Sequence, residues 1–266
     1  MLKKTLIIVL YLLLTGVVCC YFIFSTKITK EGKMHETCHQ IKVVILDSAE
    51  IRFVSKTEIA DLIIYNGITP GESKLRHINN YQIEQLLNKR TAVKKSEVSY
   101  TRDGILRVEI LQRKPILRLQ TENGGFYMDE NAYVFPLIKG FSPFVPVVSG
   151  EIPLKIPPKY NGYVKNNEQW ANSLKDLCLY IIKNESWDSL IEQIYVDSKG
   201  ILSFIPRDGN FEIIFGDMDK IEYKFKKLYA FYKDILPNVG PEKYSKINLQ
   251  FDKQIVCKKT NKNIEI

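Results

Sequence analysis

Between Lys4 and Lys27 the chain carries no charged side chain, and the run from Thr5 to Thr26 is dominated by Leu, Ile, Val, Phe and Tyr. A helix over these 22 residues is about 33 Å long at a rise of about 1.5 Å per residue, enough to cross a hydrocarbon core of about 30 Å. The run predicts a single N-terminal transmembrane helix over 5–26, preceded by a leader at 1–4. A cleaved signal peptide is the rival reading, but it calls for an apolar region of about 7–15 residues followed by a small-x-small site. Neither stands out, and Val17 and Val18 before Cys19 argue against a lipidation signal. Lys3, Lys4 and the amino terminus nearly balance Lys27, Lys30 and Lys33, so the charge rule alone does not orient the helix. Size does: a four-residue leader stays in the cytoplasm and the large C-terminal part is exported, with the bilayer as the first partner.

The exported part has the makings of a packed core. Of 266 residues, 45% are hydrophobic and 26% charged, which excludes collagen-like repetition and wholesale disorder. The net charge of +8 is spread along the chain; it suits contact with an acidic surface without specifying which. Five cysteines, an odd number, do not make a disulfide framework. Cys19 and Cys20 fall in the span, Cys38 beside it, Cys178 on a helical apolar face and Cys257 in a strand. Buried thiols are the expected state of the last two, with a Cys178–Cys257 bridge as the alternative.

Residues 27–40 are polar and aperiodic, as a stalk would be. Lys42 to Asp47 is an expected strand. Ser55 and Glu58 form a capping box that starts a helix with Ile59, Leu62 and Ile63 inward. A second helix is expected from Asn80 to Lys89, and Val98–Tyr100 and Leu106–Ile110 form strands across Asp103-Gly104. The order is β-α-α-β-β. After Pro115 come hairpin signals around Asn123-Gly124-Gly125, then a proline-punctuated stretch in which any strand, such as Val145 to Val148, is expected at a sheet edge. Trp170, Leu174, Leu177 and Ile181 mark one amphipathic helix, and Ile221, Phe225, Leu228, Tyr232 and Ile235 a second. Between them Gln193–Val196, Leu202–Pro206 and Phe211–Phe215 form a small sheet, and Lys246 to Cys257 is expected as one final strand. The fold class is therefore α+β: an anchor, a small β-α-α-β-β module, and a larger β-rich domain with two covering helices.

Motifs for chemistry are missing. The three histidines, His35, His39 and His77, lie beside no paired carboxylate or nucleophile motif. His35-x-x-Cys38-His39 has zinc-ligand residue types but no second cluster to complete a tetrahedron. Asp217 and Asp219 suit the positive end of a helix better than a catalytic dyad. Nucleophile elbow, phosphate loop and dinucleotide fingerprint are absent from the sequence. The lysines of 220–234, interleaved with aromatics, imitate a nucleic-acid patch, yet the apolar stripe claims the aromatics and leaves the lysines as a solvated face. No catalytic residue, cofactor, metal, nucleic acid or small-molecule substrate is expected.

Phe53-Val-Ser-Lys-Thr-Glu-Ile59, Gln112-Arg-Lys-Pro115, Gly125-Phe-Tyr-Met-Asp129, Val145-Pro-Val-Val-Ser-Gly150, Ile205-Pro-Arg-Asp-Gly209, Ile213-Ile-Phe-Gly216 and Lys224-Phe-Lys-Lys-Leu228 follow one another in the order and spacing of a known family. The chain resembles the bacterial cell-division family FtsQ, also called DivIB, over nearly its whole length. The resemblance implies a POTRA-like domain at 41–112, a β domain at 113–258 and a tail at 259–266. It implies a scaffold without catalysis at the division septum, recruiting FtsB-like and FtsL-like proteins and through them septal peptidoglycan synthases. It also implies strand addition beside the last strand, here Leu249, Gln250, Phe251, Asp252 and Lys253. A terminal strand at a sheet edge has unpaired backbone groups that can receive a partner, although Lys253, Lys258 and Lys259 are also what a guarded edge carries. Two other readings stand beside the scaffold: a POTRA-type accessory in envelope protein transport or outer-membrane assembly, and an anchored enzyme acting on peptidoglycan.

Overall fold

The computed structural model describes residues 13–23 and 37–260. Residues 13–23 are helical, with Leu13, Leu14, Val17, Val18, Tyr21, Phe22 and Ile23 all exposed. Among the described residues no helix is long and apolar enough to cross a membrane. The rest of the 5–26 run, the leader, residues 27–36 of the stalk and residues 261–266 of the tail lie outside them.

The chain divides into two units. The first comprises the residues up to Leu46 with Val54–Arg90 and Lys95–Leu111. Its order is β1 (Gln40–Ile45), α1 (Lys56–Tyr65), a 3-10 turn at Leu75–His77, α2 (Asn80–Asn88), β2 (Val93–Tyr100) and β3 (Ile105–Gln112). The middle strand is β3, parallel to β1 from Gln40 opposite Ile105 to Ile45 opposite Ile110, with β2 on its other side. The Ser55 hydroxyl accepts from the Glu58 N–H at 3.1 Å, and the Asn79 side chain from the Gln82 N–H at 3.2 Å, so both helices start on side-chain caps. Ile59 and Ile63 of α1, Ile83 and Leu87 of α2 and alternate residues Leu106, Val108 and Ile110 of β3 are buried. The folded unit begins inside the expected stalk. Cys38 is fully buried, its N–H donating to Ser73 O at 2.8 Å and its carbonyl accepting from Gly71 N at 2.6 Å, and burial raises its thiol pKa. The backbone bonds made by an extended segment along the 71–74 loop outweigh the polar composition that suggested a stalk there.

The second unit comprises Asp47–Phe53, Thr91–Lys94 and the chain from Gln112 onward. It contains β4 (Pro115–Thr121), β5 (Gly124–Asp129), β6 (Tyr133–Pro136), β7 (Val147–Gly150), β8 (Gly162–Tyr163), α3 (Glu168–Ile182), α4 (Glu185–Leu190), β9 (Ile191–Val196), β10 (Leu202–Pro206) and β11 (Glu212–Gly216). Then follow α5 (Ile221–Ala230), a π-helical turn Phe231–Ile235, α6 (Leu236–Val239), β12 (Tyr244–Asn248) and β13 (Val256–Lys259). The strands form one sheet of ten, in the order β13-β12-β11-β10-β9-β7-β4-β5-β6-β8.

Three expectations are corrected here. The proline-rich stretch does not supply an edge strand: β7 lies inside the sheet, parallel to β4 and to β9. The prolines stand outside Val147–Gly150, so every N–H of the strand is available, and Pro146 contributes its carbonyl, which accepts from Arg118 N at 2.9 Å. A short third helix, α4, opens on Asn184, whose side chain accepts from Ser186 N, and buries Trp187. The second amphipathic helix is not regular to Ile235. A π-helical turn takes more residues per turn, and beyond Ala230 it leaves Phe231 buried, Tyr232 partly so and Ile235 exposed.

Phe225 ties the layers together. Its ring lies 4.9 Å from Tyr180 of α3, 5.2 Å from Trp187 of α4 and 5.4 Å from Phe215 of β11, centroid to centroid. Phe204 and Phe215 stack at 4.7 Å beneath it. Phe225→Ala removes the shared neighbour of all four and is expected to cost about 3–5 kcal/mol; urea unfolding followed by tryptophan fluorescence checks this as a fall in midpoint with unchanged slope.

Candidate functional site

The expected strand from Lys246 to Cys257 is a hairpin. β12 runs parallel to β11, from Glu212 opposite Lys246 to Ile214 opposite Asn248, and β13 returns antiparallel with Cys257 opposite Ile247 and Val256 opposite Asn248. The turn hides in the sequence because Lys253 takes φ 59°, a left-handed conformation that glycine or asparagine normally signals. Leu249 is fully buried and its N–H donates to Ile214 O at 2.9 Å, prolonging the β12 register by one residue. Gln250, Asp252 and Lys253 are exposed, and Phe251 is 45% exposed. The five residues expected to flank an added strand therefore build the turn beside the edge, and the edge itself is β13.

Among the described residues β13 has a hydrogen-bonded neighbour on one side only. Cys257 shares a row with Ile247, Ile213 and Phe204 and packs partly against the core beneath the helices. Val256 and Lys258 point to the opposite face with Asn248 and Lys246. Lysines at 246, 258 and 259 repel a second copy of the same edge. Cys178 and Cys257 are free thiols, and burial pushes the Cys178 thiol pKa up.

The turn is gripped by α5. Lys227 Nζ donates to Leu249 O at 2.5 Å and to Phe251 O at 2.7 Å. The Lys253 N–H donates to Tyr223 Oη at 2.8 Å, and Lys220 pairs with Asp252 at 3.4 Å. Within the turn, Gln250 N donates to Asn248 Oδ1 at 2.9 Å. Gly216, at φ +90°, lets the turn close: a Cβ there would fall 2.7 Å from Gln250 Cγ. Partial burial holds the Lys227 pKa below the ordinary lysine value. Its neighbour Lys224 is only 6% exposed; it donates to Asp217 O at 2.8 Å and Oδ1 at 2.5 Å and lies 4.9 Å from the centre of the Phe215 ring.

The lysines of this helix are therefore not a uniform solvated face. Lys224 and Lys227, three residues apart, share one side of the helix, and Lys220 stands at its N-cap. That spacing is visible in the sequence; the carbonyls that Lys227 reaches, in a turn more than twenty residues away, are not.

The arrangement presents backbone donors and acceptors along β13 and an aromatic side chain beside it, which is chemistry for binding. Among the described residues no three His, Cys, Asp or Glu side chains are placed to hold a metal. Cys38 is turned into the first unit, and His35 lies outside the described residues.

A family model described as FtsQ/DivIB, C-terminal related, matches residues 114–258, and a model described as a POTRA-like domain matches residues 36–111. No curated protein matches the chain.

The hydrogen bond from Lys224 lowers the Asp217 pKa from its usual 3.8, against the opposing effect of burial. A carboxyl lowered on folding contributes stability that is complete above its unfolded pKa and is lost as pH falls through the folded one. Asp217→Asn is therefore expected to lower stability at neutral pH and to flatten its pH dependence below about pH 4, checked by thermal melts from pH 2 to 7.

Proposed function

Because the chain belongs to the FtsQ/DivIB family, a division-related scaffold family of generally non-enzymatic proteins, we propose that it recruits division partners by strand addition at β13. The observation that carries this reading is the terminal strand with one sheet neighbour, flanked by a turn that leaves Phe251 half exposed. An added strand would gain affinity from main-chain pairing and specificity from alternate side chains, with Cys257 on one face and Val256 and Lys258 on the other. The partners are FtsB-like and FtsL-like proteins and, through them, septal peptidoglycan synthases. Leu249, Gln250, Phe251, Asp252 and Lys253 contribute from the turn beside the edge.

The family is typically septal and membrane-anchored. We assign the anchor to residues 5–26 from their freedom from charge and from the exposed apolar side chains of helix 13–23. The leader is then cytoplasmic and the two domains, 41–112 and 113–258, are exported. A POTRA-like match alone would suit a transport accessory equally; the match over 114–258 favours division.

Depletion in the native host tests the assignment: filamentous cells, with a fluorescent fusion at midcell before depletion, are expected, and normal division with envelope-wide fluorescence would overturn it. At the residue level, Phe251→Lys in the purified full chain is expected to weaken binding of the FtsB-like partner while circular dichroism stays unchanged. Undiminished binding would sink the edge model.

A further inference from the structure

The geometry points to Lys227 and Tyr223 as positioning residues for partner capture, acting through the turn that displays Phe251. This rests on the proposed function, but the observations are independent of the family. Among the described residues five non-glycine residues have positive φ, and two of them, Lys220 at 50° and Lys253 at 59°, stand at this joint of helix and turn, Lys220 paired with Asp252 and Lys253 bonded to Tyr223. Backbone held in a sparsely populated region persists only where its surroundings over-determine it, and such positions gather at ligand clamps.

Here the surroundings are specific. The Lys227 ammonium bridges two carbonyls of the turn, Leu249 O and Phe251 O, and so fixes the residues on both sides of Gln250. Tyr223 Oη accepts the N–H of the strained Lys253. The two clamps are coupled, because Lys227 Nζ lies 5.1 Å from the Tyr223 ring centre. Leu249 anchors one end of the turn in the core, and Phe251, two residues on, has no such anchor and stays half exposed. The clamps hold Phe251 in one orientation before a partner arrives, which removes the ordering cost from the binding step. Lys227 is partly buried against the turn, and Tyr223, though 36% exposed, turns its hydroxyl to the Lys253 N–H.

Full chain in detergent, with the purified FtsB-like partner as the probe, tests the role. In the absence of partner, Lys227→Met is expected to speed amide exchange at Gln250 and Lys253 about tenfold while the β10 amides keep their protection. Tyr223→Phe is expected to do so at Lys253 alone. Partner binding by Lys227→Met is expected to weaken about tenfold in the wild-type background and not at all further in Phe251→Ala, because both changes remove the same contact. Lys227→Arg, which keeps a donor over the carbonyls, should restore most of the affinity. Additive losses, or unchanged exchange in Lys227→Met, would overturn the positioning role. Weakened binding in Phe251→Ala with normal binding in Lys227→Met would overturn that role alone; normal binding in Phe251→Ala would overturn the edge model on which it rests.

Discussion

The hydrogen bonds on both sides of β7 join two groups of strands into one sheet. On one side stand β4, β5, β6 and β8, on the other β9 to β13, and Val147–Gly150 pairs in parallel with β4 and with β9. Buried parallel pairing requires continuous backbone donors on both flanks, so four residues free of proline decide whether the outer strands have anything to stand on. Val148 is fully buried there, and Gln193 Nε2 donates across the strands to Ser149 Oγ at 2.8 Å. The helices reinforce the junction: α3 lies against β4, and Phe225 of α5 reaches Phe215 of β11.

From that frame the lysines of α5 acquire three different tasks. Lys224 is buried and stitches the helix start to Asp217; Lys227 is partly buried and holds the turn; Lys220 makes an exposed pair with Asp252. Exposed pairs of the last kind are worth about 0–1 kcal/mol. An ammonium group that satisfies two carbonyls removes two unpaired acceptors at once, and its loss would cost more than a surface charge.

Local periodicity was a sound guide wherever one residue pattern settled one element. The capping residue Ser55, the alternation Leu106, Val108, Ile110 and the stripe Leu174, Leu177, Ile181 all appear in the structure as the sequence implies. What could not be read were choices made by distant partners. The place of β7 depends on β4 and β9, which lie more than twenty residues away on either side. The π turn at Phe231 depends on what the helix packs against, and the turn at Lys253 is imposed on a residue with no preference for it. For the candidate site, resemblance points to Phe251 and its neighbours but as part of a strand, and nothing local in the sequence separates Lys227, which holds them, from a surface charge.

The position of β13 in the chain has a consequence for biogenesis. Along the sheet from β9 outward each strand pairs with the next in chain order, and β12 joins parallel to β11 only after α5 has crossed over. In a polypeptide that folds from its amino end, the outer edge on this side of the sheet is β11 and then β12 until β13 folds back on β12. Closing the hairpin therefore replaces one open edge with another, and only the second carries Lys258 and Lys259 along its length.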